Sequence, residues 1–191
     1  MPKEKAHPTP AVGDTLDRFM AEWSAQRPDL DFDYLATIGR ILRVSAHLRE
    51  SMDSWLAPFG LTWEMFDLLA SLERSGGKTG LRPTDLYEAC MLSSGAMTNR
   101  LDRAEKLDYA VRQPDPDDGR ATRIALTRRG HVLTEKAMTE HALRAGAVAR
   151  RLTAKEQTLL AALLRKLLMS FEEKPAAAPR KAANGKRAAL A

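Results

Sequence analysis

LSSGAMTNRLDRAEKLDYAVRQPDPDDGRATRIALTRRG, residues 92–130, decides the fold. Ser93 is a natural N-cap for a helix over about 94–107. Met97, Leu101 and Ala104 recur at helical spacing and face inward, which turns Gly95, Thr98, Asn99, Asp102 and Arg103 outward. Two short strands follow, about 109–113 and 121–126, and in the second Thr122, Ile124 and Leu126 alternate with Ala121, Arg123 and Ala125. The loop between them, PDPDDGR, is stiff: its prolines fix φ, Asp118-Gly119 suits a turn, and Arg120 stands at its end. A helix of small polar character followed by such a hairpin is the layout of a winged helix-turn-helix. A helix that enters the major groove needs small or hydrogen-bonding residues near its N-terminus, and Ser94, Gly95, Thr98 and Asn99 are of that kind. An arginine on a wing tip suits the narrow, electronegative minor groove. Asp118 is expected to hold Arg120 in shape. The plainer alternative is a surface hairpin on an enzyme domain.

Bulk composition narrows the partners. The chain has 191 residues and a formal net charge of +5. Residues 174–191 carry Lys174, Arg180, Lys181, Lys186 and Arg187 and no acid; removing these five from 30 basic residues leaves 25, equal to the 25 acidic ones. The body is therefore neutral, and a DNA-binding surface has to be a local patch. Residues 119–129 form one, with Arg120, Arg123, Arg128, Arg129 and no acid. Arg103 and Arg123 join the expected DNA contacts. Cys90 is the only cysteine, which excludes an internal disulfide. No signal-peptide core or membrane span is evident, and a cytoplasmic protein is expected.

Working outward, residues 1–12 and 174–191 read as disordered, the latter as a basic low-complexity tail. Asp14 can cap a helix carrying Leu16, Phe19, Met20 and Trp23, which Pro28 breaks. A long helix is expected over 32–57, ended by Pro58 and Gly60, and Thr62 caps another over about 63–74. On that helix Met65, Leu69 and Leu72 make the ordinary apolar stripe, while Trp63, Asp67, Ala70 and Arg74 line the opposite face. A short helix over 83–91 precedes the reading helix. Thr127 opens a helix of about 20 residues or more, and Thr153 to Glu156 form a capping box for the last one. The reading is a mainly α domain over 13–173 with a small β-wing: dimerisation helices 13–57 and 127–173 around a DNA-reading part 62–126. The flanking helices carry more apolar surface than one small winged unit can cover, which points to a two-fold homodimer on near-palindromic double-stranded DNA.

The strings LSSGAMTNRLDRAEK, RQPDPDDGR and IALTRRG resemble the MarR family of bacterial transcription regulators over 32–173. Many members have Gly where Asp108 stands, and many carry a second Arg where Gly119 stands. The chain further resembles the urate-responsive, PecS-like branch. That branch has an additional N-terminal helix bearing a Trp, as in EWSAQRPDLD, an Asp and an Arg seven apart on the second helix, and an Arg on the recognition helix. The resemblance implies a ligand site at Trp23, Asp67, Arg74 and Arg100, a urate-like effector and a repressor released by it. Urate is a flat purine anion, which a guanidinium can pair bidentately and an indole can cover. Taken singly, each residue has a blander reading: Trp23 as an anchor for its helix, Asp67 and Arg74 as a surface ion pair, Arg100 reaching to phosphate. The rivals are the same fold answering another aromatic or carboxylate effector, and a constitutive architectural DNA-binder.

Other chemistry is thin. Gly77-Lys78-Thr79 looks like the end of a phosphate-binding loop, but the motif needs Gly where Leu72 stands. His7, His47, His131 and His141 lack metal-ligand spacing, and one cysteine cannot complete a thiolate site, so neither metal nor cofactor is expected. Redox-sensing members of the family carry their cysteine near the start of the long helix; Cys90 lies elsewhere and reads as a small core residue. No paired carboxylates or nucleophile motif suggest an enzyme.

Overall fold

A computed structural model describes residues 13–77, 79–90 and 97–172. Both termini, and with them the expected disordered segments 1–12 and 174–191, lie outside the described residues. The chain divides into two compact units, 1–144 and 145–191.

In the first unit, α1 (Thr15–Gln26) is capped as expected: the Asp14 carboxylate accepts from Leu16 and Asp17 amides, and Asp17 reciprocates. Arg40 pins α1 to the next helix by ion pairs to Asp14 (2.8 Å) and Asp17 (2.6 Å). The single long helix expected over 32–57 is interrupted. A 3-10 turn spans Asp33–Ala36 and α2 runs from Ile38 to Leu56. The cause is local: Asp31 accepts from the Asp33 amide, and the Thr37 hydroxyl donates back to the Tyr34 carbonyl, so side chains compete for the ladder. Pro58 and Gly60 do end α2, with Gly60 left-handed at φ 68°.

Helix α3 (Trp63–Ser75) is the hub. Thr62 caps it by accepting from Met65; Met65, Leu69 and Leu72 are buried on one side, while on the other Trp63 and Asp67 are buried, Ala70 is half-buried and Arg74 is exposed. The core gathers around it from Leu56, Leu61, Leu86, Met97, Leu101, Ala104 and Ile124. His141 sits among Trp55, Trp63 and Phe66, with ring centroids 5.1–6.2 Å away, and burial lowers its pKa.

Helices α4 (Pro83–Ala89) and α5 (Met97–Lys106) precede the antiparallel hairpin of β1 (Ala110–Pro114) and β2 (Thr122–Leu126), in which Arg112 pairs with Ile124. Leu81 adds one unanticipated rung, exchanging backbone bonds with Ile124 at 2.9 and 2.8 Å. A lone residue between Gly80 and Arg82 leaves no alternation to read. Gly80 is required there: it is left-handed at φ 74°, and a Cβ would lie 2.1 Å from the Ile124 carbonyl oxygen. Asp108 takes φ 58° where the reading helix ends, a conformation Asp tolerates. Helix α6 (Arg128–Ala149) starts at Thr127, whose hydroxyl accepts from Gly130 and donates to the Asp108 carbonyl.

The second unit contains α7 (Ala154–Glu172), entered through the expected capping box between Thr153 and Glu156. Leu159, Leu163, Leu168 and Phe171 on it are 55–77% exposed. No described helix is long and apolar enough to cross a membrane.

Candidate nucleic-acid interface and effector site

The reading helix is oriented by three buried side chains, Met97, Leu101 and Ala104, as its spacing requires. Thr98, Asn99 and Arg103 are exposed on the opposite side. Ser94 and Gly95, together with the expected cap Ser93, lie outside the described residues. The helix is braced against the hairpin by Arg112 of β1, which pairs with Asp102 at 2.8 Å and with Glu105.

The wing is held at its base by Asp115, which with Pro116 is a mark of the family resemblance in the sequence but has no partner assigned there. Asp115 has a fully enclosed side chain. Its Oδ2 meets Arg82 Nε at 2.6 Å and Arg123 Nε at 3.0 Å, and its Oδ1 accepts from the Asp117 amide at 2.9 Å. These contacts push the Asp115 pKa down to about 2; the Asp117 amide is the largest cause, with Arg82 and Arg123 adding to it against the cost of burial. The signal was half visible: Asp two residues before Asp117 and ahead of Pro116 suits an Asx-turn, whereas Arg82, far away in sequence, gave none. Arg123, expected on DNA, is engaged in this network and donates to the Gly80 carbonyl. Arg120 is exposed at the tip. Asp118 supports it through the backbone, accepting the Arg120 amide at 3.1 Å, rather than by gripping the guanidinium.

On the inner side, α3 and α5 bring three of the four implied ligand residues into one neighbourhood. Asp67 is 4% exposed on α3, with Ser71 one turn on at 1% and Arg74 beyond. Arg74 Nη2 and the Ser71 hydroxyl both donate to the Ala89 carbonyl, at 2.6 and 3.2 Å. Cys90 follows directly. Burial pushes its thiol pKa up and the Ser71 hydroxyl opposes this; the charge of Asp67 raises it further, while Arg100 and Arg74 lower it. One half-buried thiol thus lies in the field of all three charges. The Arg100 charge also acts on Glu64, helping to lower its pKa, and Arg49 holds that carboxylate at 2.9 Å. Its Nη1 is buried and has no hydrogen-bond partner among the described residues. Trp23 is placed differently: half exposed, it stacks on Phe32 with centroids 5.4 Å apart and planes 21° apart. Among the described residues no group of His, Cys, Asp and Glu could hold a metal.

Comparison with known proteins bears on what this arrangement serves. A profile of the MarR family matches residues 59–121. The HTH-type transcriptional regulator PecS of Dickeya dadantii is 32% identical over 143 residues, covering 75% of this chain and 86% of that protein. An HTH-type transcriptional repressor of Mycobacterium tuberculosis is 32% identical over 133 residues, covering 69% and 94% respectively. The crystal structure of the S. aureus MepR-DNA complex is similar at a TM-score of 0.62 and 25% identity, covering 74% of this chain and 98% of that one.

Proposed function

The chain belongs to the MarR family of transcription regulators, a DNA-binding protein and not an enzyme, and from that premise we propose that it is a repressor released from its operator by urate or a related purine anion. The observation that carries the effector half is the Arg100 guanidinium. A buried N–H without a partner costs free energy on the order of 1–3 kcal/mol; among the described residues Arg100 Nη1 shares that state with Arg123 Nε, which is ion-paired to Asp115, and with His141 Nδ1, and of the three only Arg100 stands on the reading helix beside the other implied ligand residues. Arg100 stands on the reading helix, and its charge acts on the neighbouring Cys90 thiol together with those of Asp67 and Arg74. An anionic purine seated among them accepts from both guanidinium groups, while the Asp67 carboxylate accepts a ring N–H. Binding there displaces the reading helix only because the ligand prefers one position of Arg100 over another. Trp23 caps the site only if α1 leaves its stack on Phe32, which makes it the weaker member of the set.

The DNA half rests on exposed Thr98, Asn99 and Arg103 along one helix and Arg120 at the wing tip, with Ser94 and Gly95 at the helix start as further proposed contacts. Arg123 serves this surface as a strut for the wing. We take the working form as a homodimer. Ile38, Leu42 and Val44 on α2, and separately the leucines of α7, expose apolar surface that a second copy would cover, and a dimer reads two half-sites one helical turn apart.

The test is fluorescence anisotropy of labelled operator DNA with purified protein, titrated with urate, xanthine and benzoate. Release by urate or xanthine at sub-millimolar concentration, with benzoate inert, supports the purine reading. Release by benzoate alone points to the rival class of effector. A complex that stays intact with all three at millimolar concentration leaves a constitutive DNA-binder.

A further inference from the structure

A cleft of about 670 Å³ opens beside the base of the wing and shares no lining residue with the Asp67, Arg74 and Arg100 cluster. Its volume falls within the ~300–1,000 Å³ usual for small-molecule sites. Phe59 and Tyr109 give it aromatic surface, and Val132 and Leu133 of α6 give it an aliphatic wall. Arg128, Arg129 and Lys136 line it with three cations against the single carboxylate of Asp108.

The walls are fixed before any ligand arrives. The Tyr109 amide donates to Ala104 at 2.8 Å, and its carbonyl accepts from Thr127 at 3.1 Å. Gly130 passes so close that a Cβ would stand 1.9 Å from that carbonyl oxygen. The Arg129 guanidinium lies over the Tyr109 ring, 5.3 Å from its centroid, so one cation is already parked on an aromatic face.

Operator DNA is the wrong occupant. The cleft abuts Tyr109 and Thr127, at the hairpin's base, whereas Arg120 is at its tip. A five-residue strand puts roughly 17 Å between those ends. Asp108 likewise follows the C-terminal end of the ten-residue helix α5, roughly 15 Å from its reading end. The cleft is thus set back from both elements that meet the grooves.

Charge then selects the ligand. Three cations less one carboxylate leave an excess of two positive charges. A monocarboxylate matches half of it; a phosphate monoester, with its near-double charge and three acceptor oxygens, matches all of it and suits a guanidinium fork. The aromatic surface adds a place for a flat ring. We propose that the cleft lined by Phe59, Tyr109, Arg128, Arg129 and Lys136 is a second effector site, for a ring-bearing phosphate monoester of mononucleotide size.

Isothermal titration of the full chain with phenyl phosphate, adenosine monophosphate, inorganic phosphate and benzoate tests this. The parent is compared with Arg129→Ala/Lys136→Ala, both of whose side chains are exposed, and with Arg74→Ala. The expected result is binding of phenyl phosphate and adenosine monophosphate at least ten-fold tighter than inorganic phosphate or benzoate. The double variant should lose at least ten-fold for both ligands, and Arg74→Ala should lose nothing. Inorganic phosphate or benzoate binding as tightly as phenyl phosphate overturns the proposal, as does equal binding by the double variant or no binding by the parent. Operator affinity of Lys136→Ala, whose side chain lies outside the basic patch of residues 119–129, should match the parent when read by anisotropy without ligand; a loss of ten-fold or more would show that this cation serves DNA and would overturn the proposal too.

Discussion

The base of the wing and the inner side of α3 and α5 are both built around an enclosed carboxylate and two arginines, yet they finish differently. At the wing, Asp115 is met by Arg82, Arg123 and the Asp117 amide, and Gly80 and Gly130 bring backbones together so closely that no Cβ fits. Around Cys90, Arg74 donates to the Ala89 carbonyl and the Ser75 hydroxyl, and Arg100 keeps a buried donor without a hydrogen-bond partner among the described residues. In the first arrangement every charge has an ion-pair partner, although Arg123 Nε, 3.0 Å from Asp115, makes no well-formed hydrogen bond. The second retains bonding capacity. The paired network is a structural device; the other arrangement is the one proposed to hold a ligand.

The largest effect should come from breaking the closed region. Gly130→Ala forces a Cβ to 1.9 Å from the Tyr109 carbonyl oxygen, with backbone on both sides and no flexible side chain to yield. The expected loss is about 3 kcal/mol or more in urea unfolding. A variant as stable as the parent would mean the wing base is looser than described.

Next come the proposed reading contacts. Asn99→Ala should cost about 1–3 kcal/mol in operator binding, and more against operator than against scrambled DNA, if it reads a base. Arg120→Ala should weaken operator binding with unfolding unchanged, because the side chain is exposed at the tip. Titrations of both variants on operator and scrambled duplexes decide this; an Arg120→Ala protein that binds operator as the parent does removes the wing from the interface.

The same contrast explains what the sequence disclosed. The reading helix, the hairpin, the caps at Asp14, Thr62, Thr127 and Thr153 and the two faces of α3 were legible because each rests on local spacing or a local hydrogen bond. The break at Thr37 was not, because the stripe of Leu35, Ile38 and Ile41 continues through it while side-chain bonds interrupt the ladder. Leu81 and Arg82 were invisible because their partners, Ile124 and Asp115, come from distant sequence. Arg123 read as a DNA contact for want of that partner. Asp67, Arg74 and Arg100 were reached through a family resemblance; the geometry adds Ser71, the Ala89 carbonyl and Cys90, which no spacing rule joins to them.

Protonation gives the smallest effects and separates the two ends of the pH scale. Asp115 has its pKa depressed to about 2, so its contribution is present above the unfolded value of about 3.9 and is lost as pH falls from there toward 2. Acid unfolding of Asp115→Asn should therefore be flatter than that of the parent between those values. His131 Nδ1 lies 2.5 Å from Glu73 Oε2, which raises its pKa. That contribution is full below the unfolded value of about 6.5 and fades as pH rises through the higher folded value. Because His131 is more than half exposed, solvent screens it, and His131→Gln should narrow the stability gap between pH 6 and pH 8 only slightly. A gap that widens in the variant would reverse the sign argued here.

The measurement that bears most directly on the open cluster is urate-driven release of operator by Arg74→Ala beside the parent. Arg74 lies on α3, away from the reading face, so operator affinity without ligand should agree within two-fold. The urate concentration for half release should rise at least ten-fold, as expected when a charge-assisted contact of roughly 1.5–3 kcal/mol is lost. Release of both proteins at the same urate concentration would contradict the assignment of the Asp67, Arg74 and Arg100 cluster as the effector site.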